Sequence, residues 1–252
     1  PLGRQPGEYL WQEWFGPEHW AQFERNPRTW ASLFQQRPAP EDGMLFTAEH
    51  FQRFDPRGID RNAMRFYIAS DYATKDQGER PDPDWTVHLV FGVDSDLNIF
   101  LVDGWRGRSF SDRWVREWLR LVKKWKPMMA AEEAGQINAV VGPFLKTMMR
   151  QEQVFVMRHQ FVSSVDKVSR AQGLLGVAAM GKLFLPDRAR CERHMLDLLD
   201  AFETEMLQFP TGRHDDTVDA ATLFARMLDK LVAGEKPGRM PIRVNGIEII
   251  RT

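Results

Sequence analysis

The sequence predicts an α/β fold, a mixed β-sheet with helices on its faces. Three observations predict it. Three strand-like segments follow one another at 66–70, 87–93 and 99–102. After them, helix-like and strand-like segments alternate. Of the 252 residues 43% are hydrophobic and 27% charged, an ordinary globular balance with ample material for a core.

Residues 1–60 differ from the rest. They hold four of the nine tryptophans (Trp11, Trp14, Trp20, Trp30) and many prolines. Short helical patches are expected at 17–24 and 29–36, and Pro38-Ala39-Pro40 breaks the chain. The segment reads as a linker or the edge of a preceding domain. The folded domain is then expected at 61–234, with a C-terminal tail at 235–252.

Phe66-Tyr67-Ile68-Ala69-Ser70 reads as a buried strand ending at Asp71. A polar loop covers 72–84. Val87, Leu89, Phe91 and Val93 alternate as a second strand, and Asp94-Ser95-Asp96 is a turn signal. A third strand begins at 99–102, so an antiparallel meander is expected. Trp114, Trp118, Leu121, Val122 and Trp125 then form one helical stripe, which reads as core. Ser109 with Asp112 resembles a capping box, and Pro127 ends the helix. A short strand at 128–131 runs into Glu132-Glu133, and Gly135 allows a tight turn into a helix over 138–150. A fifth strand is expected at 154–157, a helix at 166–180 and a short strand at 183–185. Helices at 191–207 and 215–231 flank a Pro/Gly loop. The tail's Ile247-Glu248-Ile249-Ile250 suggests an added edge strand.

The single cysteine, Cys191, excludes an internal disulfide framework and any multi-cysteine zinc site. No apolar run approaches the roughly 18 residues of a membrane span, and no signal peptide is visible. A soluble protein in a reducing compartment, with no membrane partner, is the expectation. Net charge is −1, but nine of the 34 basic residues are lysine and 25 are arginine, the side chain suited to bidentate phosphate contact. From Arg106 to Lys126 eight basic residues face two acids, Asp112 and Glu117. That stretch suits an anionic partner; it also suits a solvated helix face.

Acidic residues stand at three special places. Asp71 ends the first strand, Glu132 and Glu133 end the fourth, and Asp215, Asp216 and Asp219 open the last helix. Ligands of open α/β sheets sit outside the strand carboxyl ends. If the first and fourth strands are neighbours, these carboxylates converge. Clustered carboxylates repel unless cations bridge them, and all-oxygen donors suit Mg²⁺ or Mn²⁺. Two such ions about 3.5–4 Å apart serve phosphodiester hydrolysis. Asp216 and Asp219 share a helix face at i, i+3, and Asp215 and Asp219 at i, i+4. Taken singly, a strand-end Asp also suits a turn, and a first-turn Asp a helix cap.

Phe209-Pro210-Thr211-Gly212-Arg213-His214-Asp215-Asp216-Thr217-Val218-Asp219-Ala220 resembles the FP-x-G-x-HDD-x-x-DA signature of the large terminase subunit of tailed bacteriophages. Glu133-Ala134-Gly135-Gln136-Ile137 with Gly142-Pro143-Phe144-Leu145 resembles that family's second acidic motif, and Ile68-Ala69-Ser70-Asp71 its first. Lys167-Val168-Ser169-Arg170-Ala171 resembles its K-x-x-RA pattern. Gly7-Glu8-Tyr9-Leu10-Trp11 and Phe34-Gln35-Gln36-Arg37-Pro38 resemble the stretch joining its ATPase and nuclease domains. The chain carries no G-x-x-x-x-G-K-[ST] phosphate loop, so the likeness is to the nuclease half without the motor.

The resemblance implies an RNase H-like fold and a metal-dependent endonuclease that cuts concatemeric viral double-stranded DNA in the host cytoplasm during packaging. The implied partners are that DNA, the portal protein and the small terminase subunit. Position by position, Asp71 would bridge two metal ions. Glu133 would be the second ligand with Glu132 as its alternative, and Asp216 the third with Asp219 behind it. Asp215 would cap the helix or bind the second ion. Lys167 would hold a phosphate, and Arg106, Arg108 and Arg170 would contact DNA. Two other readings compete: a resolvase, RNase H or integrase-like enzyme on the same fold, and a non-catalytic module that docks DNA or the portal.

Overall fold

Period-2 alternation of apolar residues builds the centre of the molecule. A computed structural model describes residues 20, 44–73, 84–162, 166–232, 242–244 and 247–249. The chain divides between Gly43 and Met44, and every element below belongs to the second unit. In chain order these are β1 (Phe51–Phe54), β2 (Arg65–Asp71), β3 (Thr86–Val93), β4 (Ile99–Gly107), α1 (Ser111–Trp125), β5 (Met129–Glu133), α2 (Gln136–Gln151), β6 (Met157–Phe161), α3 (Lys167–Ala179), β7 (Leu183–Pro186), α4 (Arg193–Gln208), α5 (Asp216–Val232), β8 (Ile242–Val244) and β9 (Ile247–Ile249).

Seven strands form one sheet in the order β1-β7-β4-β3-β2-β5-β6. β2, β3 and β4 are the expected antiparallel meander. β5 and β6 add in parallel beside β2, and β7 and β1 in parallel beside β4. The short turn at 94–98 joins the antiparallel β3 and β4, while the α2 crossover joins the parallel β5 and β6.

Alternation sorts side chains between two faces. Tyr67, Ala69, Val87, Leu89, Phe91, Met129 and Ala131 join the core under α3, α4 and α5, here called the front. Phe66, Ile68, Val90 and Ala130 join Trp114, Trp118, Leu121, Val122, Leu145 and Met149 of α1 and α2 on the back. The tryptophan stripe of α1 is therefore core.

Four expectations shift. Phe51–Phe54, inside the segment read as a linker, is an outer strand of the sheet. The fifth expected strand moves from 154–157 to Met157–Phe161; among the described residues it pairs with β5 alone, so its exposed Met157 and Gln160 give it no apolar signature. Helix α1 starts at Ser111 with Phe110 at its N-cap and no side-chain cap bond, so Ser109 and Asp112 form no capping box. The tail strand β9 pairs with β8 in its own hairpin instead of extending the sheet. The helical patches at 17–24 and 29–36, and most of the 72–84 loop, lie outside the described residues. Among the described residues no helix is long and apolar enough to cross a membrane.

Candidate active site

β2 and β5 run parallel and end side by side, with Ser70 paired to Glu132. One residue on, Asp71 and Glu133 both turn to the front. There α5 packs on β2 and β3 and brings Asp216 and Asp219 from its first turn. Burial raises the Asp71 carboxyl well above the usual carboxylate range. The charges of Asp219, Asp216 and Glu133 push it further, in that order, and Lys167 opposes them. Burial raises Asp219 as well, against the pull of Lys167. Asp216 is pushed up to about 6, by burial first and then by Glu205.

Helix α3 supplies the opposing charge. Its N-cap Asp166 accepts from the Ser169 amide at 2.9 Å, so the helix starts with Lys167 at its first position and Arg170 one turn later. Lys167 Nζ lies 2.6 Å from Asp215 Oδ2 and 3.2 Å from Asp219 Oδ2. Arg170 lies 3.4 Å from Asp219 Oδ1 and 3.9 Å from Glu133 Oε1. Burial pulls the Lys167 ammonium down, but its bond to Asp215 and the charges of Asp219 and Asp215 outweigh that and leave it raised.

The donors suit a hard divalent cation. All are carboxylates, the ligands Mg²⁺ and Mn²⁺ take. Asp216 is 7% exposed; its Oδ1 accepts from the Trp85 amide at 3.3 Å, and among the described residues its buried Oδ2 has no hydrogen-bond partner. His214 Nδ1 stands 3.8 Å from that oxygen. A buried carboxylate oxygen without a donor is costly and is relieved by a cation. Among the described residues no three acidic, histidine or cysteine side chains already close on a single point. Lys167 and Arg170 stand beside the carboxylates.

A buried glutamate that the sequence reading missed supports α5. Glu205 of α4 accepts from the Thr217 amide at 2.7 Å and the Thr217 hydroxyl at 2.6 Å, closing the first turn of α5. It also accepts from Arg106 Nη2 at 2.7 Å. The Arg106 and Arg108 guanidiniums stack on Trp85 at 3.8 and 4.1 Å. Arg106, expected at DNA, is thus 16% exposed at its side chain and braces α5 through Glu205. One signal was available: Glu205 interrupts the buried stripe Leu198, Phe202, Met206 of an amphipathic helix.

Glu132 is not in the cluster. Alternation sends it to the back, where it is 0% exposed. Arg158 grips it from Nε at 2.9 Å and from Nη2 at 2.6 Å, and the Tyr72 hydroxyl donates to it at 3.0 Å. The choice left open between Glu132 and Glu133 is therefore one of face, and Glu133 has the front. His88 sits on the back too, between Ser70 Oγ at 2.9 Å and the Trp114 carbonyl at 3.1 Å, with burial lowering its pKa to about 3. A separate cavity of about 180 Å³ is lined by Asp103, Lys124, Trp125 and His194, and none of the acids above lines it.

No protein-family model and no curated protein matches the chain. Solved structures do. The large terminase nuclease of thermophilic phage G20c, with bound cobalt, aligns at TM-score 0.52 and 12% identity over 74% of this chain and 98% of that one. The human cytomegalovirus terminase nuclease domain, soaked with manganese and holding an inhibitor, aligns at 0.50 and 10% over 73% and 91%. This is the RNase H-like fold of terminase nuclease domains. Within the terminase nuclease fold, Asp71 and Glu133 stand at the carboxyl ends of the two adjacent parallel strands β2 and β5, facing α5.

Proposed function

We propose that the chain is a metal-dependent endonuclease that cuts concatemeric viral double-stranded DNA during genome packaging, with little sequence preference. The observation that carries this reading is the gathering of Asp71, Glu133, Asp216 and Asp219 at one end of the sheet, with a buried Asp216 oxygen that lacks a donor among the described residues. The terminase nuclease fold supports it, as do the cobalt and manganese of the two aligned structures.

Those four carboxylates would hold two divalent ions, Mg²⁺ or Mn²⁺. Held there, such ions would supply activation of a water and stabilisation of the leaving oxygen of a phosphodiester. The protein's own side chains do the rest. Asp71, raised by all three of the other acids, is the central group. Lys167 places positive charge beside the carboxylates, in position to hold the scissile or an adjacent phosphate, while Asp215 restrains it until DNA arrives; Arg170, 8% exposed at its side chain, instead pairs with Asp219. Arg108, with the exposed Arg113 and Arg116 of α1, offers further phosphate contacts. Binding through such contacts weakens steeply as salt rises. The portal protein and the small terminase subunit are the proposed packaging partners, and the host cytoplasm the place of action.

Plasmid cleavage tests this. Purified protein is incubated with Mn²⁺, Mg²⁺ or EDTA beside the Asp71→Asn variant. Cutting with metal, absent in EDTA and absent in Asp71→Asn, is expected. Cutting that survives Asp71→Asn places the chemistry elsewhere. Folded protein that binds DNA and cuts with neither metal favours a docking module.

A further inference from the structure

At the ends of β2 and β5, consecutive residues point opposite ways. Asp71 and Glu133 go to the front, Tyr72 and Glu132 to the back. On the back these two are joined: the Tyr72 hydroxyl donates to Glu132 Oε1 at 3.0 Å. Arg158 of the next strand, β6, donates to both Glu132 oxygens. The joint is buried, with Tyr72 7% exposed, and the Tyr72 ring packs against Trp114 with centroids 4.8 Å apart. Each partner is covalently adjacent to a front-face acid, so the back-face bond spans the same two strand ends as the carboxylate pair.

We propose that Tyr72, with Glu132 and Arg158, is a latch that fixes the spacing of Asp71 and Glu133 and so sets the affinity of the acid cluster for divalent cations. The proposal rests on the metal-dependent reading above. Like charges at neighbouring strand ends push those ends apart, and alternation leaves the flanking residues to resist from behind. Ion sites tolerate displacements of only about 0.5 Å in their ligands. Arg158 neutralises Glu132, so the latch adds no repulsion of its own. Tyr72 is a positioning residue; its hydroxyl is turned away from the site.

Tyr72→Phe removes the hydroxyl, keeps the ring and leaves the Glu132–Arg158 pair intact. Mn²⁺ is titrated into DNA-free wild type, Tyr72→Phe and Asp71→Asn, with free Mn²⁺ read by electron paramagnetic resonance. Thermal melting in EDTA is recorded beside it. Tyr72→Phe should bind Mn²⁺ about tenfold more weakly, the usual scale for residues that orient metal ligands. Its melting point should stay within a few degrees, and kcat should fall with KM for DNA unchanged. Mn²⁺ binding that Asp71→Asn abolishes but Tyr72→Phe leaves at wild-type strength overturns the latch alone. No Mn²⁺ binding by the wild type overturns the metal reading and the latch with it.

Discussion

Glu132 and Glu133 are the same residue twice, one peptide bond apart, and the fold treats them in opposite ways. Glu132 is wholly buried and fully answered, with Arg158 on both oxygens and Tyr72 on one. Glu133 opens onto a cluster where its charge adds to those that raise the Asp71 carboxyl, and it stands 3.9 Å from Arg170. One side of the sheet therefore satisfies its charge at home. The other side keeps an excess of negative charge that suits incoming cations. A pair of adjacent glutamates at a strand end thus divides into an anchor and a ligand candidate, and only the pleat decides which is which.

Replacing each glutamate in turn separates the two roles. Glu133→Gln should lower metal-dependent cleavage about 10³-fold, or about 4 kcal/mol of barrier, while its melting point in EDTA stays level or rises because one repelling charge is gone. A variant that cuts normally would erase the contrast. Glu132→Ala should instead lower stability by about 3–5 kcal/mol in urea unfolding, since it strands Arg158 in the interior. Glu132→Leu combined with Arg158→Met should recover most of that loss. A smaller effect comes from His88. Its folded pKa of about 3 lies below its unfolded value near 6.5, so in that window the unfolded chain binds a proton the folded one refuses. Stability is full above pH 6.5 and falls as the pH drops, by about 2 kcal/mol at pH 5 from this group. The difference in stability between pH 7 and pH 5 should shrink by that much in His88→Asn.

Much of this was legible in the sequence. The meander followed from alternation at Val87, Leu89, Phe91 and Val93, and the stripe of α1 from its tryptophans. The acids stood out because each closes a strand or opens a helix. What escaped was set by pairing between distant segments. Whether Glu132 or Glu133 faced α5 depended on one residue of register, which β2 and β5 settle only by aligning Ser70 with Glu132. Arg158 lies in a strand whose polar edge residues hid it, and Glu205 reaches Thr217 across a helix junction. Arg106 read as a DNA contact because nothing local announces Glu205 or Trp85. The HDD segment was legible by type, yet its three aspartates take separate partners: Asp215 pairs with Lys167, Asp216 faces Trp85 and His214, and Asp219 meets Lys167 and Arg170.

The acid cluster is assembled from β2, β5 and α5, and α5 is the last of these to leave the ribosome. A nascent chain carries Asp71 and Glu133 at their strand ends well before Asp216 and Asp219 exist to complete the set. The order of synthesis therefore completes the acid set last. The carboxylates come together only when α5 docks on β2 and β3.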